Sequence, residues 1–276
     1  MSARAERIGL LALPGLSFLA VIYALPLFLL LLKSFQIEGQ FSVAEYRLFF
    51  SDAFNLTVLW RTLRVALLTT LLALVIAYPT AMVMARARGI WLSVFLVAMV
   101  LPMSVGVVVK AFAWSIIFRT RGVLNDVLMS LGLTEQPIRM LFTETALIIG
   151  AANVFLPFMV LPIYAVLRQM DARLPEAAAS LGATPVFRFL NVTLPLSLPG
   201  VVAGSAFTFS LAISMYVIPS LIVGERQQTL SMLTARSFLY LRNEALGATI
   251  SSILLVIAIA VVLGSSWLAS RLGARS

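Results

Sequence analysis

No charged residue lies between Arg64 and Arg86, and the run that fills the gap, VALLTTLLALVIAYPTAMVMA (Val65–Ala85), is apolar on every face of any helix drawn through it. A helix needs about 20 such residues to cross the roughly 30 Å hydrocarbon core of a bilayer. Only a helix or a closed barrel satisfies every backbone N–H and C=O in that medium. Five further runs share the character: Ile8–Leu32, Ile90–Val109, Thr145–Leu167, Val201–Val223 and Ala248–Ala269, all free of Asp, Glu, Lys and Arg. They predict an all-α membrane protein with six transmembrane helices. The chain as a whole is 61% hydrophobic and 11% charged, against roughly 25% charged residues in soluble domains.

The first run follows Arg4 and Arg7 as the apolar part of a signal peptide would. It is too long for one, and no small-x-small cleavage site precedes Lys33, so a spanning helix is expected. The intervening segments, 33–64, 86–89, 110–144, 168–200 and 224–247, leave no room for an ATPase domain. Cysteine and histidine are both absent from the sequence, which excludes disulfides, thiolate chemistry, histidine proton relays and most transition-metal sites. The net charge of +9 is spread singly and in pairs near the ends of the apolar runs. Lys and Arg so placed anchor helices at lipid headgroups rather than binding nucleic acid. Six spans put both termini on one side, and Lys and Arg are denser in 1–7, 86–89, 168–200 and 270–276 than in the other segments. Arg86 and Arg88 in the shortest loop are the clearest anchor, and that side is expected to face the cytoplasm.

One segment, PEAAASLGATPVFRFLNVTLPLSLPG (Pro175–Gly200), interrupts the apolar pattern. Pro175 suits a first helical position, EAAASL favours helix, and Glu176 sits near the positive helix N-terminus. Gly182 then ends this helix in the left-handed conformation, and Thr184–Pro185 restarts one with a threonine cap and a proline at the first position. The second helix is expected to stop near Leu194–Pro195. Local chemistry alone leaves an interfacial or re-entrant hairpin as one reading of the pair.

The spacing is more specific: Glu-Ala-Ala, three residues, Gly182, nine residues, Val192, one residue, Leu194–Pro195. It resembles the EAA loop of the permease subunits of binding-protein-dependent ABC importers, with Val192 in place of the family's isoleucine. Leu156–Gly204 and Val100–Asn125 are similar to blocks of spermidine/putrescine-type permeases, and the N-terminal run looks more like the first of that system's two permeases than the second. The outer turn departs from the pattern, with Val223–Gly224 where related permeases often carry two glycines.

The resemblance implies the type I importer permease fold, with residues 1–60 as an N-terminal helix and first outer loop, 61–269 as the permease domain with its cytoplasmic coupling loop at 171–195, and 270–276 as a cytoplasmic tail. It implies a multi-pass protein of the bacterial inner membrane. Its partners would be two ATP-binding subunits, a second and different permease, a periplasmic substrate-binding protein and membrane lipid, but no nucleic acid. Glu176, Ala177, Ala178, Ala179, Gly182 and Arg188 would meet the ATPase. No G-x-x-x-x-G-K-[ST] occurs in the chain, so it carries no cofactor of its own on this reading, and ATP and Mg belong to the partner. The cargo implied is a polyamine; iron(III), sulfate, phosphonate and opine importers share the loop.

Within the spans, Gly200, Gly204, Ser205 and Thr208 form a small-residue face suited to close helix packing. Asn153, Ser210, Ser214 and Tyr216 put polar groups at membrane depth and are pathway candidates, as is Trp114. Lys110 admits two readings. Twenty residues from Ile90 to Val109 already span about 30 Å at 1.5 Å each, so Lys110 either reaches the outer interface or faces the pathway as a gate. The absence of acids from the spans speaks against an ion-coupled secondary transporter, and sits awkwardly with a polycation. Metal-ligand clusters and catalytic constellations are not found in the sequence, so no enzyme is expected.

Overall fold

The computed structural model describes residues 14–15, 17–37, 39–171 and 173–273. Among them five helices are long and apolar enough to cross a membrane, or six when one sharply bent pair is counted as a single span. The expected start of the first span at Ile8, the anchoring Arg4 and Arg7, and the last residues of the tail lie outside the described residues. The chain divides into two compact units, Met1–Leu56 with Leu233–Leu255, and Thr57–Met232 with Val256–Ser276.

In the first unit, α1 (Ser17–Ser34) leads into a two-stranded hairpin of β1 (Gln36–Ile37) and β2 (Gln40–Phe41) and a short α2 (Ala44–Ser51). The segment expected as a plain loop is therefore partly structured. Phe35 stacks on Phe41 with ring centroids 5.5 Å apart and lies 5.1 Å from the Tyr46 ring. The Tyr46 and Ser34 hydroxyls share a hydrogen bond of 2.8 Å. Lys33 pairs with Glu244, the first residue of the last helix, where a carboxylate complements the helix dipole.

The second unit holds most of the core. Helix α3 (Ala53–Arg86), most of which lies in this unit, extends well before the expected Val65. α7 (Glu144–Gln169) is capped by the Thr143 hydroxyl, which accepts from the Ala146 N–H at 3.2 Å, and continues through Pro157 and Pro162. Ala73, Ala77 and Ala81 of α3 recur every fourth residue and pack with Met84 against Met159, Val160 and Ile163 of α7. Between these helices come α4 (Ile90–Ser104), α5 (Val107–Ile117) and α6 (Val123–Ser130). After them come α8 (Arg173–Ser180), α9 (Pro185–Ser214) and α10 (Val217–Ile222); α11 (Leu230–Leu239) belongs mostly to the first unit, and α12 (Glu244–Gly273) is divided between the two at Leu255.

Two expected spans are broken. Ile90–Val109 ends as a straight helix at Ser104, and α5 departs from α4 at 98°. Pro102 loosens the last turn of α4, and Val105 and Gly106 have extended ψ angles of 124° and 140°. Val201–Val223 breaks at Met215, whose ψ is 133°. Pro219 lies four residues later, and its ring clashes with the carbonyl that a continuous helix would place at Met215.

The expected stop at Leu194–Pro195 is absent. α9 instead runs from Pro185 through a widened π-turn at Phe189–Thr193 into Leu194–Ser214. α1 has a second π-turn at Ala20–Ala24, and both turns end two residues before a proline, Pro26 and Pro195. A turn closed by i→i+5 bonds absorbs the missing proline N–H without ending the helix.

Gly200 and Gly204 bring α9 onto α7. A Cβ added at Gly204 would lie 2.9 Å from the Met159 carbonyl oxygen, and one at Gly200 would lie 2.9 Å from that of Pro162. Gly204→Val therefore forces the helices apart at a cost of about 1–3 kcal/mol. The purified variant should melt several degrees below the unsubstituted protein in a thermal-shift assay, whereas Gly264→Ala, where a Cβ inside α12 meets nothing within 4 Å, should not lower the melting temperature, since Ala is the better helix former.

Candidate functional site

The polar segment between α7 and α9 is built by local bonds. The Asp171 carboxylate accepts from the Arg173 N–H at 2.9 Å, so α8 begins two residues before the expected Pro175. Gly182 ends it at φ +81°. Its N–H donates to the Ala179 carbonyl at 2.9 Å and that of Ala183 to the Ala178 carbonyl at 3.0 Å, the paired bonds of a glycine-stopped helix. The Thr184 hydroxyl then accepts from the Phe187 N–H at 3.3 Å and opens α9. Both the glycine turn and the threonine cap stand where the sequence puts them.

Glu176, Ala177 and Ala179 are exposed and Ala178 is half-buried. Leu181, the end of the expected EAAASL helix, is 88% exposed beside Gly182, an apolar tip on a polar loop. Arg188 is half-buried, and its Nε has no hydrogen-bond partner. Glu176 lines a cavity of about 470 Å³ with Arg86, Arg88 and Arg168. Arg168 donates to the Ala85 carbonyl at 3.2 Å, tying the end of α7 to the end of α3. The start of α9 is held to α3 higher up: the Tyr78 and Ser197 hydroxyls lie 2.7 Å apart, and the Phe189 ring meets Tyr78 edge-on at 5.6 Å. Loop residues and helix ends far apart in sequence thus form one basic, partly enclosed face.

A second site forms where the broken helices meet. Met103, Val105, Gly106 and Lys110 from the α4–α5 break, and Leu211, Ser214, Met215 and Tyr216 from the α9–α10 break, line a cavity of about 380 Å³ with Phe155 and Phe158 of α7. Three of the expected pathway residues, Lys110, Ser214 and Tyr216, are brought together here. Lys110 does not follow a straight span to an interface. α4 rises only about 22 Å over its 15 residues, and Lys110 sits one turn into the arm that turns across it.

Trp114 and Asn153 form a separate pair, the indole N–H donating to the Asn153 side-chain oxygen at 3.1 Å. Ser210 does not line the cavity: its hydroxyl is buried without a partner, and its carbonyl accepts from the Ser214 hydroxyl at 2.8 Å. The aromatic and Met lining of the cavity carried no sequence signal, because Met103, Phe155 and Phe158 are unremarkable within apolar runs. Toward the other end of α7, Arg61 and Arg64 of α3 pair with Glu144.

Residues 69–274 match the family model described as binding-protein-dependent transport system inner membrane component. The spermidine/putrescine transport system permease protein PotB of Haemophilus influenzae is 34% identical over 194 residues, covering 70% of this chain and 68% of that one. PotB of Escherichia coli is 33% identical over 221 residues, 80% of each chain. The inner membrane ABC transporter permease protein YdcU of Escherichia coli is 33% identical over 235 residues, covering 77% of this chain and 74% of that one. Among solved structures, a bacterial ABC transporter involved in import of the acidic polysaccharide alginate superposes with a TM-score of 0.75 at 17% identity, over 98% of this chain and 96% of that one. Family match, identity and fold agree: the chain belongs to the family of binding-protein-dependent transport system inner membrane components.

Proposed function

We propose that this chain is one of two different permeases in an ATP-driven importer, oriented with both termini and the α8 loop in the cytoplasm. Two ATP-binding subunits receive that loop, and a periplasmic binding protein delivers the solute to the opposite face. The carrying observation is continuity: from the Thr184 cap to the break at Ser214, α9 is one helix of 30 residues, about 45 Å long. It starts in the exposed loop and ends in the wall of the Lys110 cavity. Movement of the loop by closing ATPases is transmitted along a packed rod to the cavity, which is how a rigid element couples distant sites. ATP and Mg are handled by the partners on this reading, and the chain binds no cofactor of its own.

The solute is a polyamine of the spermidine or putrescine kind, a reading supported by the names and identities of the PotB relatives. Selection falls to the binding protein, since Ser214, Tyr216 and the cavity's apolar wall offer a permissive passage rather than a fitted site. Uptake of labelled spermidine into vesicles carrying the importer should follow ATP supply and persist when the proton gradient is collapsed. Uptake that tracks the gradient would assign the chain to ion-coupled transport, and ATP-driven uptake of another solute in spermidine's place would reassign the cargo.

Two substitutions test the loop. Gly182→Val places a β-branched residue at φ +81°, a conformation such residues rarely adopt. It should reduce uptake at least tenfold at normal membrane abundance, and uptake at the unsubstituted rate would count against the docking role. Glu176→Lys adds a fourth cation to Arg86, Arg88 and Arg168. It should lower the amount of ATPase that co-purifies with the tagged permease, which an unchanged yield would contradict.

A further inference from the structure

Lys110 occupies an unusual place. Its side chain lines the cavity between the two helix breaks, where the other lining residues include no Asp or Glu. Among the described residues no hydrogen bond or ion pair engages its ammonium group, although its backbone N–H donates to the Gly106 carbonyl at 3.3 Å. The remaining lining is Met, Val, Leu, Ile and Phe, with the hydroxyls of Ser214 and Tyr216. The space before Gly106 is open, with nothing within 4 Å of an added Cβ. An ammonium facing an apolar passage without a counter-charge raises the potential along it, and low-dielectric walls prolong the effect.

We propose that Lys110 is an electrostatic barrier that keeps small inorganic cations from leaking through the pathway while the importer is idle. The inference rests on the reading of the cavity as part of the solute pathway, and on nothing about which solute passes. A permeating K⁺ has to come within a few ångströms of the lysine with no carboxylate near to offset it. Fixed positive charge excludes cations from other membrane pores by the same physics. A permissive pathway needs such a barrier, because a passage wide enough for an organic solute is wide enough for K⁺. The lysine's four-carbon stem lets the charge swing aside when the α4–α5 and α9–α10 arms separate during the driven cycle.

The test uses the whole importer, purified through a tag on this chain and reconstituted in K⁺-loaded liposomes without ATP or binding protein, with a protonophore present to balance charge. Passive K⁺ efflux through Lys110→Gln and Lys110→Met complexes should rise roughly tenfold over the unsubstituted complex, equivalent to about 1.4 kcal/mol of barrier. Lys110→Arg should match the unsubstituted protein. Efflux unchanged in both neutral variants, in complexes that remain intact by size exclusion, overturns the proposal, and so does a Lys110→Arg leak as large as theirs. ATP-driven spermidine uptake by the unsubstituted complex is read separately. Its absence beside a raised leak in the neutral variants refutes the polyamine reading and leaves the barrier standing, whereas normal uptake without a raised leak refutes the barrier alone.

Discussion

Every backbone amide in the hydrocarbon core must find its partner within the protein, and the shape of this chain follows from where that rule is met and where it is relaxed. Five helices satisfy it continuously. Prolines threaten it in each of the spans from α1 through α9; Pro79, Pro157, Pro162 and Pro199 are carried within continuous helix, and the others have two different outcomes. At Pro26 and Pro195 a π-turn widens the helix and keeps it whole. Near Pro102 and four residues before Pro219 the helix gives way, and residues of both breaks line one cavity. Broken helices are tolerated at membrane depth when they line such a space. Both breaks open on the same cavity, which gives them a common physical reason.

The intact helices matter as much as the broken ones. α9 joins the loop to the cavity because Pro195 is absorbed instead of ending it, and because Gly200 and Gly204 let it lie against the backbone of α7. In a bilayer, where lipid is as apolar as any side chain, close van der Waals contact between helices replaces hydrophobic burial as the cohesive force. The alanine ladder Ala73, Ala77 and Ala81 on α3 does the same against Met159, Val160 and Ile163 of α7. A rod packed this closely is suited to move as a unit, which is what the proposed coupling asks of it.

Much of this was legible in the sequence because it is written in local chemistry. The apolar runs, the left-handed Gly182, the Thr184–Pro185 restart and the small face at Gly200 and Gly204 each depend on residues within a few positions of one another. What stayed hidden depends on action at a distance. Pro219 breaks the helix four residues upstream, inside a run that hydropathy reads as unbroken. Pro195 looked like a stop because the compensating π-turn has no composition of its own. Glu176 lines one cavity with Arg86 and Arg88, about ninety residues away in sequence, and Leu181 stands out only once its exposure is known. Lys110 is the sharpest case: rise per residue along a straight helix left it open to an interface or to the pathway, and a bend of 98° sets it in the wall of a cavity.

That bend also reconciles two features that looked opposed. Spans without carboxylates offer a polycation no counter-charge, and a lysine in the proposed passage repels it. A pathway that binds its cargo tightly would have to release it again, at a cost set by the affinity. One that offers only hydroxyls, a phenol ring and apolar walls leaves recognition to the protein that delivers the solute, and release then needs no strong contact to be broken. Such a passage discriminates poorly by contact, so what it excludes at rest must be excluded by occlusion or by charge. Among the described residues of the cavity wall, Lys110 is the one charge, and it stands where the two helix breaks meet. A site poor for holding a cation is, for the same reason, good at refusing one when no cycle is under way.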